Sequence, residues 1–207
     1  MPDAGGEVLA TRVAFLELKD ERRLVQEGYE LLDEKRVLLA TEILRQLRLY
    51  IVLQDELRRH EQTARTALEA AVDAYGFDDL TVEPKRSLET AVLRTGVQTF
   101  LGLHLVDAAL ELPGAGPEPH SLQPLPEARA CAGAFRQLLA DHATMAACMG
   151  NLRRLSREYT RTERRARALE NVVLPEIDLT LRFIEEQLDA VDQEEAVRVR
   201  SAAGSRT

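Results

Sequence analysis

Apolar residues recur at steps of three and four from about Glu7 to Tyr75, a span with no proline and with Gly28 as its only glycine. That period marks one face of a helix, and good helix formers dominate the stretch. Its later half carries a seam through Tyr50, Leu53, Leu57, Glu61, Ala64, Leu68, Ala71 and Tyr75, spaced as coiled-coil packing requires. Its earlier half carries a broader stripe through Val13, Leu16, Leu24, Val25, Leu31, Leu32, Leu38 and Leu39. A helix of this length spans ~100 Å at the standard rise. It cannot bury its stripe on itself and needs a partner of similar length.

The same chain supplies that partner. From about Glu127 to Arg198 the period is helical again, with a seam through Leu138, Met145, Leu152, Leu155, Tyr159, Thr162, Ala166, Leu169, Val173, Ile177, Leu181, Ile184, Leu188 and Val191. Steps of four and four around Val173, Ile177 and Leu181 form a stutter, which locally unwinds a left-handed supercoil. Folded back as an antiparallel pair, facing residues should have numbers that add to about 200–205. GYELLDEKR (28–36) then lies beside ALENVVLPEIDL (168–179), and Gly28 falls opposite Pro175. Pro175 lacks a backbone donor and crowds the carbonyl of Asn171, so a kinked or loosened turn is expected there.

Residues 77–126 change character. Pro84 stops the first helix, and ETAVLRTGVQTF and GLHLVDAALEL flank Gly102 as a short hairpin. PGAGPEPHSLQPLP (113–126) holds five of the eight prolines and reads as loop. The expected fold is therefore mostly α: a long antiparallel two-helix coiled coil from N- and C-terminal helices, with a middle region containing a β-hairpin and loops. The segments are 7–76 for the first helix, 77–126 for the middle, 127–198 for the second helix and 199–207 for a disordered tail.

Composition agrees with long helices rather than a thick globule. Aromatics are 4% and charged residues 30%, with no Trp. The net charge of −8 argues against general nucleic-acid binding. Cys131 and Cys148 lie in one helical segment, ~25 Å apart at the standard rise, too far for a disulfide. No apolar run is long enough to span a bilayer, and the N-terminus lacks a secretory pattern, so a cytoplasmic location is expected.

Candidate chemistry is sparse. The chain has no phosphate-binding G-x-x-x-x-G-K-[ST] and no dinucleotide fingerprint. PGAGP has prolines where a phosphate would need backbone donors. His60, His104, His120 and His142 are scattered without ligand spacing, and Glu56 and His60 read as an ordinary surface pair. No catalytic residue, cofactor or metal is expected. Charge, in contrast, is strongly segregated. RRLSREYTRTERRAR (153–167) carries seven Arg against two Glu, and residues 168–195 carry nine acids against Arg182. Arg45 and Arg48 should fall near the basic block. Such a pattern is either a solvated face or a guide for a charged partner surface.

GYELLDEKR and ALENVVLPEIDLTLRFIEEQLD together resemble the two signature stretches of the D subunit, the central rotor shaft, of V/A-type rotary ATPases. That family reads GYELL followed by K, D and KR, and later NALE-x-VVIP with an I-x-x-T-I-x-[FY]-I pattern. The matching residues are Gly28, Tyr29, Leu31, Leu32, Lys35 and Arg36, then Ala168, Leu169, Glu170, Val172, Val173, Pro175, Ile177, Phe183 and Ile184. FLGLHLVDAAL sits where the family has a glycine-centred hairpin. The chain departs from the family at its ends, with EEAVRVRSAAGSRT in place of an aromatic-basic run and LATR in place of Pro-Thr-[KR].

The resemblance implies a non-catalytic central shaft. Its partners would be the catalytic and regulatory ring subunits, a small companion rotor subunit and a connector to the proteolipid ring. Contact with the membrane would come only through partners, and the complex would be peripheral to the cell membrane. Gly28, Lys35, Arg36, Arg161, Arg165, Pro175 and Arg182 are the candidate partner-contact residues. A free-standing coiled-coil adaptor or scaffold would show the same periodicity, and a helical-bundle enzyme would need ligand spacings that this chain does not carry.

Overall fold

The computed structural model describes residues 10–82, 91–112 and 126–204. Helix α1 runs Arg12–Val82, strands β1 and β2 run Val92–Phe100 and Leu103–Glu111, and helix α2 runs Pro126–Ala168. A single π-helical turn, Leu169–Val173, joins α2 to helix α3, Leu174–Gly204. The expected long N- and C-terminal helices with a small antiparallel sheet between them are all present. Most of the Pro-rich loop, residues 113–125, lies outside the described residues, as do 205–207. Residues 199–204 are helical where a tail was expected.

Local chemistry accounts for the element ends. Thr11 caps α1, its Oγ1 accepting from the Ala14 amide at 3.1 Å. Gly76 interrupts α1 with φ 75° and ψ 160°, a conformation essentially reserved for glycine. Pro126 opens α2 at the position where a missing amide costs nothing, followed by Glu127 in the first turn. Leu101 and Gly102, with φ of 48° and 82°, form the two-residue turn that pairs Phe100 with Leu103.

By its contacts the chain divides into two compact units, Met1–Leu38 with Tyr159–Thr207, and Leu39–Glu158. In the second unit Leu39, Ala64, Ala71, Met145, Cys148 and Leu155 are buried. Ala67 faces inward and Leu68 outward, so the seam there uses the smaller side chain. His60 pairs with Asp141 of α2, Nδ1 to Oδ2 at 2.5 Å, rather than with Glu56 on its own helix. The Tyr75 hydroxyl donates to Glu127, joining the far ends of the same helices. A polar layer interrupts the apolar seam. Glu42 accepts from Arg45 at 2.7 Å and from Gln46 at 3.0 Å, and the Cys148 thiol lies 3.6 Å from the Gln46 carbonyl. Cys131 and Cys148 are both free.

In the first unit Thr162, Ala166, Ile177 and Ile184 are buried and Leu169, Val173, Leu181 and Leu188 half-buried. The expected second-helix seam therefore holds through Leu188 and ends before the exposed Val191. The earlier stripe of α1 splits. Val25 and Leu32 turn inward, whereas Leu24 and Leu31 are 68% and 66% exposed. Val13 and Leu16 also face outward, with Ala14, Phe15 and Leu18 taking the inner face.

Candidate functional site

The two signature stretches meet inside the first unit. A side chain at Gly28 would find Leu169 Cδ1 at 4.0 Å, an ordinary van der Waals distance. Arg36 Nη1 donates to Glu163 Oε2 at 2.9 Å, and its Nη2 lies 2.5 Å from Asp33. Arg167 donates to the other Glu163 oxygen at 2.7 Å. The Arg36 hydrogen bond, helped by Arg167, holds the Glu163 carboxyl below its ordinary 4.5. Burial raises the Tyr29 phenol above its ordinary value, aided by the neighbouring charges of Glu170 and Asp33. Arg22 meets Asp178 and Arg12 meets Asp192, each across the helix pair. The numbers of facing residues add to 204, 200, 197 and 199 on passing from Arg12 through Arg22 and Gly28 to Arg36. The helices are thus antiparallel, with a register drifting slightly below the expected one.

This register corrects the expected Gly28–Pro175 contact. Gly28 faces Leu169, more than a helical turn earlier, and Pro175 is exposed. The loosening expected at Pro175 is a π-turn on its N-terminal side. The Leu174 amide bonds the Leu169 carbonyl, five residues back instead of four. A π-turn widens the helix and holds one residue more than an α-turn. The four-and-four spacing at Val173 and Ile177 is therefore absorbed by the backbone, and Ile177 and Ile184 return to the seam.

Among the other candidate residues, Lys35 is half-buried, and Arg161, Arg165 and Arg182 are exposed. Arg182 lies close enough to Asp178 to act on its charge and lines a groove with Phe15, Arg22 and Gln26. Arg45 is not bare: its guanidinium is taken by Glu42. Sequence reasoning missed the exposed apolar surface of this unit. Leu24 and Leu31 on α1, Val172 on the π-turn, and Leu179 and Phe183 on α3 are all exposed, the last two 64% and 51%. Leu179 and Phe183 are four apart, so they share one face of α3. The signal was present in the doublets Leu24-Val25, Leu31-Leu32 and Leu38-Leu39, which carry two heptad stripes side by side. Among the described residues no group of three or more His, Cys, Asp or Glu gathers as metal ligands, and no helix is long and apolar enough to cross a membrane.

The family model for the ATP synthase D subunit matches residues 14–204. The chain belongs to the ATP synthase D-subunit family. Relatives align over nearly their whole length. The V-type ATP synthase D subunit of Thermotoga neapolitana is 25% identical over 93% of this chain and 95% of its own. The A-type ATP synthase D subunit of Thermococcus kodakarensis is 27% identical, covering 93% and 92%. The V-type ATP synthase D subunit of Thermus thermophilus is 28% identical, covering 96% and 88%. In this member of the family, Gly28–Arg36 and the π-turn lie in the same two-helix unit that carries the exposed apolar stripes.

Proposed function

We propose that this chain is the central rotor shaft of a V/A-type ATP synthase or ATPase. It couples ATP synthesis or hydrolysis in a catalytic ring to ion translocation in the membrane sector, and it is itself non-catalytic. Its partners are the catalytic and regulatory ring subunits, the small companion rotor subunit and the connector to the proteolipid ring. It works on the cytoplasmic side, peripheral to the membrane, and touches the membrane only through those partners.

The observation that carries this reading is the exposed apolar surface of the first unit. A two-helix unit with one buried seam would normally be polar elsewhere. Here Leu24 and Leu31 on one helix, and Leu179 and Phe183 on the other, face solvent. Apolar surface of this kind marks a contact with other proteins. Lys35, Arg161, Arg165 and Arg182 are the charged contacts that would set orientation around it. A pair of helices has no threefold symmetry, so an enclosing ring of equivalent subunits would meet a different face at each position. Coupling then follows from the different contact free energy of each interface conformation with the face it meets.

Purification of a tagged chain from native membranes in mild detergent tests the proposal. Nucleotide-binding ring subunits should co-purify at about three pairs per shaft, with a small rotor partner. Leu31→Asp combined with Leu179→Asp should leave helicity of the isolated chain unchanged and remove the ring subunits. Recovery of the chain alone or as a stable homodimer would replace the rotor reading with that of a free-standing adaptor.

A further inference from the structure

Val106 in β2 turns both of its backbone groups to one side chain of α2. Its amide donates to Asn151 Oδ1 at 2.8 Å, and Asn151 Nδ2 donates to its carbonyl at 2.9 Å. An Asn amide offers a donor and an acceptor side by side, as the edge of a neighbouring strand does. One side chain therefore stands in for a third strand. Asn151 is 2% exposed, and Arg154 Nη1 donates to the same Oδ1 at 3.1 Å, fixing which end of the amide faces which group. Nearby, Thr144 Oγ1 lies 3.3 Å from the Ala108 carbonyl.

Among the described residues few other side chains tie the hairpin to the helices. Leu105 is its one buried side chain among the described residues, and β1 is exposed from Val92 to Thr99. The hairpin is by contrast well made within itself, paired without interruption from Val92 and Glu111 to Phe100 and Leu103. Because Val106 faces α2, its cross-strand partner Val97 turns its backbone groups to the outer edge of β1, which no other strand pairs among the described residues. Leu105 and Asp107 turn theirs inward to β1.

We propose that the hairpin is an arm that docks on α2 and leaves it as a unit, and that Asn151 is its latch. The inner ladder is the stronger set of bonds and the outer contact the weaker, so the arm releases before it unfolds. The latch also favours closure from the helix side. Released, the Asn151 amide loses both of its bonds to Val106, keeps only Arg154, and must be rehydrated. This behaviour belongs to the chain itself and needs no partner.

Amide hydrogen exchange on the full chain tests the latch. In the native protein the Val106 amide should exchange at least about tenfold more slowly than that of Val97. In Asn151→Ala it should approach the Val97 rate, while Leu105 and Asp107 keep their protection and the helical far-UV signal is unchanged. Asn151→Leu retains the buried volume without the hydrogen bonds and should behave the same way. The proposal fails if Val106 exchanges as fast as Val97 in the native chain, or stays protected in both variants. It also fails if Leu105 and Asp107 lose protection together with Val106, because the hairpin then exists only when docked. Unfolding of the helices in both variants would make Asn151 a brace of the helix pair and overturn the latch.

Discussion

Arg36 and Glu163, 127 positions apart in the chain, meet at 2.9 Å and join the first signature stretch to the basic block beside the second. Arg36 and Arg167 together hold both Glu163 oxygens. The ion pairs Arg22–Asp178 and Arg12–Asp192 continue the same antiparallel register toward the chain ends.

These pairs predict an acid-sensitive helix pair. Glu163 and Asp178 have folded-state values below their ordinary 4.5 and 3.8, each chiefly through an arginine hydrogen bond. A depressed carboxyl contributes stability above its unfolded value and loses it as pH falls through its folded value. Thermal midpoints should therefore be level above about pH 5 and decline toward about pH 3. Glu163→Gln should flatten part of that decline. An unchanged slope in this variant would mean that the Arg36 pair contributes nothing to it.

Leu38 and Leu39 are neighbours with opposite fates, 44% and 0% exposed. Leu39→Ala should cost about 2–5 kcal/mol, as buried leucines do. Leu38→Ala should cost far less, near the ~0.5 kcal/mol usual for surface positions. Urea denaturation of the isolated chain separates them. Equal losses would show that both stripes are packed within the chain.

Gly28→Ala should be tolerated. The added methyl meets Leu169 Cδ1 at 4.0 Å, and no positive φ forbids it. The helix gains about 0.5–1 kcal/mol from replacing glycine. A loss of stability in the same denaturation measurement would restore the close backbone approach that the observed register removes.

Pro175→Ala should gain well under the ~3 kcal/mol that separates the two residues in an ordinary helix interior. The π-turn already reroutes the Leu174 amide to Leu169, next to the missing donor. Closing that turn to α geometry would rotate all of α3 by about 100° and pull Ile177 and Ile184 from the seam. The turn should persist in the variant, as backbone carbonyl chemical shifts along 169–175 would show. A full gain in stability would mean that the proline, and not the packing phase, creates the π-turn.

Much of this architecture was legible in the residues. The unbroken helical period, the glycine-centred hairpin and the second-helix seam from Leu138 to Leu188 all follow from local pattern, because a period of 3.6 or 2 is written into each segment separately. That 28–36 lies against the second helix was legible too, since two long helices of similar length have few other ways to cover their stripes, but it meets residues 163–170 and reaches the expected 168–179 only at its Gly28 end. The partner of Gly28, the π-turn before Pro175 and the pairing of His60 with Asp141 were not. Each depends on register, and a shift of a few residues leaves the pattern of either helix unchanged.

Local pattern alone marks most of the helical segments, the hairpin turn and the families of apolar positions. It is packing that turns Val25, Leu32 and Leu39 inward and leaves Leu24, Leu31 and Leu38 outward. The two stripes are equally apolar and one residue apart, so propensity cannot rank them. The choice between them is made by the partner helix, where Ala166, Ile177 and Ile184 can be covered by only one stripe at a time, and the stripe left over stays exposed.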